Sequence, residues 1–387
     1  MCHKKRLFKV AACVWAFLLA GALLFPVSAA QEQAPLEEEM ERQLEASGAD
    51  GLYDSLPEDT QRWMEELGVT LPDFDSLNRI TPLGAFQTLG SILSGTAVNP
   101  LRFGILILGV LLLSSVLGSL LGGDSGRKET VSLCVCAFLI TILVPSIWNC
   151  LTSACSAIAA ACDFSLIYVP VLTALVASGG SVSAAAAYNS MLLGLSQLLS
   201  QFAKNFLMPC AGIFMGLGAA GSLNRLFDFS HLTQAVKKIV TVALTFCGTI
   251  FTALITTKGA IAKGVDTVAL KGAKFVVGSF VPVIGGSMAD AVGSIMSGLS
   301  VVKNSVGIFS IIAVALILAP IILELLLWIL CLNLCAGAAG ALGEENPGRL
   351  LKGIADGLSL IHTVLIFCLV LFVVSTAIIL TIKAEFS

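Results

Sequence analysis

The stretch FGILILGVLLLSSVLGSLL, Phe103–Leu121, contains no charged residue. A helix rises 1.5 Å per residue and the hydrocarbon core of a bilayer is about 30 Å thick, so about 20 apolar residues make one crossing. Arg102 stops the run on one side. Gly122-Gly123-Asp124 breaks it on the other, and Arg127-Lys128 follow in a tight loop. The segment predicts a plain membrane-spanning helix and sets the class of the whole chain.

Toward the N-terminus, Thr81-Pro82 opens another helix, with a side-chain oxygen to cap free N–H groups and a proline where no N–H is needed. Leu83, Phe86, Leu89, Ile92 and Leu93 recur at helical spacing without a charge, which predicts a helix resting at the membrane interface. Pro100 and Arg102 mark where the span begins. Residues 31–80 read as two or three short helices. Glu37-Glu38-Glu39-Met40 opens the first, which Gly48 and Gly51 end. Ser55 is expected to cap a second, with Pro57, Glu58 and Asp59 in its first turn and Trp63, Met64 and Leu67 on one apolar face. Partner docking, lying against the membrane and ordinary solvated packing all fit this segment.

The first residues have the layout of a secretory signal: basic His3-Lys4-Lys5-Arg6 and Lys9, apolar Val10–Phe25, and small residues at Val27-Ser28-Ala29. An uncleaved first span is the alternative. Either reading puts residues 31–100 outside the cytoplasm.

Toward the C-terminus, residues 131–162 are uncharged for 32 positions and residues 164–203 for 40, enough for two crossings with a turn at Gly179-Gly180. Asn205–Asn224 and Ile239–Thr257 follow as spans, with Arg225 and Lys237-Lys238 bracketing a loop that the positive-inside rule places in the cytoplasm. Residues 258–304 are irregular. Five lysines there (258, 263, 271, 274 and 303) argue for the cytoplasm, while counting spans argues for the outside. A span from Asn304 to about Leu334 contains Pro320 and Glu324, residues 343–348 form a loop, and Gly357–Ile382 is the last span. The expected fold is all-α: a polytopic helical membrane protein of six to eight spans with a broken or re-entrant segment near 275–302. A signal peptide (1–29) and a small acidic helical ectodomain (30–100) precede the membrane domain (101–387).

Composition agrees. Hydrophobic residues make up 57% of the chain and charged ones 12%, against about 25% in soluble proteins. Residues 31–80 carry 14 of the 25 acidic side chains. No basic stripe with interleaved aromatics supports nucleic-acid binding. The 12 cysteines lie mostly in apolar runs without His or acidic partners at ligand spacing, so they read as small buried residues, and no metal or other cofactor is expected. Enzyme signatures are absent: no His-Glu-x-x-His, no phosphate-cradling Gly-Lys-Ser/Thr loop, no Gly-x-Ser-x-Gly elbow. His362 reads as a polar packing residue.

Two segments look related. Tyr168-Val169-Pro170-Val171-Leu172 precedes Gly179-Gly180-Ser181, and Phe280-Val281-Pro282-Val283-Ile284 precedes Gly285-Gly286-Ser287. Proline frees a backbone carbonyl and paired glycines permit unwinding. Such backbone in a membrane must be buried in protein or line water, and paired broken segments often mark a transporter's central site. Chance in a Gly/Ala/Val-rich sequence explains the likeness equally well. Asp290 and Glu324 are too expensive to face lipid. Glu324, flanked by Ile321-Ile322-Leu323 and Leu325-Leu326-Leu327, is the leading functional carboxylate, with an interhelical hydrogen bond as the plainer role. Lys274 and Lys303 are expected to snorkel to the interface. Together with Asn304, these residues form the candidate channel or broken-helix set. Gly118-x3-Gly122 and Gly212-x3-Gly216 permit close helix approach, compatible with a homo-oligomer.

The segment Gly272–Gly307, including Ala273-Lys274-Phe275, Phe280–Gly286 and Lys303-Asn304-Ser305-Val306-Gly307, resembles the stage III sporulation protein AE family, as do Ala174–Gly180 and Met208-Pro209. The resemblance covers nearly the whole chain and brings no catalytic motif. It implies a multi-pass protein of the mother-cell-derived outer forespore membrane, within a secretion-like channel or feeding-tube complex that supports late forespore development. Its implied partners are the other stage III sporulation A-operon membrane proteins with their ATPase, indirectly a forespore membrane protein, and membrane lipid. A self-contained secondary transporter and a scaffold without its own path are the alternatives.

Overall fold

The computed structural model describes residues 34–120, 125–179, 182–202 and 285–380, with isolated helical positions between 203 and 253. The expected signal peptide, Gly180, Lys274, Pro282 and the loop 225–238 lie outside the described residues, apart from Lys238. The chain divides into two compact units, Met1–Glu38 and Glu39–Ser387, and the packing below belongs to the second.

Every extended element among the described residues is helical. Three short helices come first: α1 (Ala34–Ser47), α2 (Glu58–Glu66) and α3 (Phe74–Asn78). Five long ones follow: α4 (Pro82–Leu120), α5 (Ser125–Ser178), α6 (Val182–Phe202), α7 (Gly285–Ala341) and α8 (Glu345–Leu380). Four helical stretches, Pro82–Leu120, Glu129–Ser178, Gly298–Ala341 and Glu345–Ala377, are long and apolar enough to cross a membrane. That makes the chain a helical membrane protein.

Helix ends follow local chemistry. Thr81 Oγ1 accepts from the Gly84 N–H at 3.1 Å, the cap its position predicts. Asp73 caps α3 in the same way through Ser76 N–H at 2.9 Å. Ser55 does not cap α2. Its hydroxyl donates instead to Leu52 O at 2.7 Å, and Pro57 occupies the cap position. At the far end of α2 the N–H groups of Gly68 and Val69 return to Glu65 O and Met64 O, a closure that needs the φ of +75° at Gly68. Met64 is buried, while Tyr53 O–H donates to Glu65 Oε1 at 2.8 Å. Burial first and that carboxylate second push the Tyr53 hydroxyl up to about 12.

The long helices run through several positions expected to interrupt them. α4 continues through Pro100, so the segments 30–100 and 101–387 share one helix. α5 continues through Pro145, Asp163 and Pro170 for 54 residues, correcting the expected division at Asp163. Asp163 is exposed, and one charge on an open helix face leaves the backbone ladder intact. α7 is unbroken for 57 residues through Lys303, Pro320 and Glu324. Of the segment 275–302 expected to be broken or re-entrant, residues 285–302 are therefore regular helix, and residues 275–284 lie outside the described residues.

α7 and α8 form a central hairpin. α4 and α5 lie against α7, α6 folds back on α5, and α8 also touches α5 and α6. The most apolar window of α7 is 67% buried and that of α4 only 22%. Exposed Ile105, Leu112, Leu113, Val116 and Leu117 give α4 a lipid-facing surface, whereas α7 supplies the core through Phe309, Trp328 and Leu332. The acidic helices α2 and α3 pack directly on α7, and Ser91 Oγ of α4 donates to Glu66 Oε2 of α2 at 3.2 Å.

Candidate functional site

Three polar seams join the long helices. The first lies between α4 and α7. Cys331 Sγ donates to Pro100 O at 3.2 Å, and Cys335 Sγ to Gly104 O at 3.6 Å. The two cysteines are one turn apart, so both thiols face the same backbone strip of α4. Phe103 and Trp328 pack with ring centroids 5.5 Å apart. Gly104 is required here, because a Cβ at that position would collide with Cys331 Sγ.

The second seam closes the α7–α8 turn. Gly343, at φ +75°, lets Glu344 N–H return to Ala339 O at 2.9 Å. Glu344 then points inward at 3% exposure and accepts from Ser114 Oγ at 2.7 Å. Gly348 N–H donates to Glu344 O at 3.1 Å, so Glu344 also starts α8. The positive end of the α8 dipole favours the carboxylate there.

The third seam lies at the opposite end of the hairpin. Tyr168 O–H of α5 and Thr376 Oγ1 of α8 are 3.2 Å apart, both buried. Lys303 Nζ of α7 donates to Leu380 O at 3.2 Å. Gly307 faces Leu380 so closely that a Cβ would overlap its side chain.

These contacts fix direction. Pro100, Gly104 and Ser114 of α4 meet Cys331, Cys335 and Glu344 of α7 and its turn in ascending order, so α4 and α7 run parallel. Gly348 packs on Ala336 and Ala339 while Leu380 meets Lys303, so α8 runs antiparallel to both.

Against this geometry a family model for stage III sporulation protein AE (spore_III_AE) matches residues 83–383, most of the chain. The protein belongs to the stage III sporulation protein AE family. Membership implies a role in sporulation. The stage III sporulation protein AE of Bacillus subtilis (strain 168) is 28% identical over 243 residues, 63% of this chain and 61% of that relative. The chain thus spans about three fifths of the relative's length. No solved structure matches. All three seams fall within the family match; α1 to α3 precede it.

Among the described residues, the candidate positions of this family member do not form one site. Pro170 is exposed in α5, its carbonyl accepting from Thr173 Oγ1 at 2.9 Å. Gly179 is buried just past the end of α5. Gly285 and Gly286 open α7 and Asp290 lies in its second turn. Asn304 is exposed. Lys303, expected to snorkel, is buried at 6% exposure. Glu324 is half-buried in α7, one turn before the buried Trp328. Lys303 and Glu324 lie 21 residues apart on one rod, about 31 Å at 1.5 Å per residue. Sequence reasoning missed Ser114, Glu344 and the Tyr168–Thr376 pair. Their partners are more than 200 residues away, and no local spacing announces them.

Proposed function

We propose that this protein is a membrane component of the sporulation channel complex, the secretion-like assembly joining mother cell and forespore and needed for late forespore development. The family match over residues 83–383 carries this reading, and the bundle of apolar helices fits a place in the outer forespore membrane. In this role the chain works without chemistry of its own. The operon's ATPase supplies energy, the other stage III sporulation A-operon membrane proteins are its neighbours, and a forespore membrane protein is reached through them. Deleting the gene in its host tests the reading: vegetative growth should be normal and sporulation should stop after engulfment. Normal spores together with a growth defect in rich medium would overturn it.

A self-contained transporter is the second reading. It is favoured by Glu324, a half-buried carboxylate in the middle of the apolar helix α7. Such a carboxylate is costly to bury without use.

A further inference from the structure

We draw no further inference here: the strongest candidate, the thiol pair Cys331 and Cys335 between α4 and α7, belongs to the seam already described, where both groups donate to the Pro100 and Gly104 carbonyls and a Cβ at Gly104 would already collide with one of them.

Discussion

Ser114 Oγ donates to Glu344 Oε1 at 2.7 Å across 230 residues of sequence, both groups buried. This bond fixes the α7–α8 turn on α4. A buried carboxylate that loses a donor costs about 1–3 kcal/mol. Ser114→Ala should therefore lower the thermal unfolding midpoint in detergent. Glu344→Gln keeps an acceptor for the serine and should cost less. An unchanged midpoint in Ser114→Ala would show that the bond contributes nothing.

At Gly104 the sign of an effect is predicted to depend on its neighbour. Gly→Ala in a helix gains about 1 kcal/mol of propensity. Here the new methyl meets Cys331 Sγ, and overpacking costs about 1–3 kcal/mol. Gly104→Ala should destabilise the wild type and stabilise the Cys331→Ala background. Thermal midpoints of the four proteins give the answer; the same sign in both backgrounds would mean that the seam is looser than described.

Topology can be checked from the C-terminus. α4 and α7 are parallel and α8 is antiparallel, so α8 ends on the side where α4 begins. With residues 31–100 outside the cytoplasm, a reporter active only outside should work when fused after Ser387. Activity of a cytoplasmic reporter at that position would reverse the orientation or break the parallel arrangement.

Glu324→Gln separates the two functional readings. A complex component that uses Glu324 only for packing should keep near-normal spore yield, because the amide fills the same space. A fall of about tenfold or more, with the protein still in the membrane, would indicate that the charge itself is used and favour the transporter.

Tyr168→Phe probes the far end of the hairpin. Thr376 loses its partner in a buried setting, at a cost of about 0.5–1.5 kcal/mol. A midpoint equal to the wild type would assign α5–α8 cohesion to apolar packing alone.

Apolar runs and caps were legible in the sequence: Thr81 caps α4, Gly179 closes α5, and residues 103–120 of the uncharged run lie in one helix. Boundaries were less so. Pro100, Pro170 and Pro320 suggest breaks, yet each lies inside a helix, where side-by-side packing outweighs one lost backbone bond. Pro100 even contributes, since its carbonyl receives Cys331. Glu345, Arg349, Lys352 and Asp356 share one face of α8, which begins 12 residues before Gly357, the start expected for the last span. The seams themselves have no local signature, because helices hundreds of residues apart choose their partners by shape.

α7 is 57 residues long, about 85 Å, nearly three hydrocarbon thicknesses. Such a rod is a lever. It carries α2 and α3 on its flank and Glu344 just past its tip. A tilt of about 5° around its midpoint displaces each end by about 4 Å, more than the length of a hydrogen bond. The acidic helices and the Ser114–Glu344 contact are thus joined to one continuous rigid element.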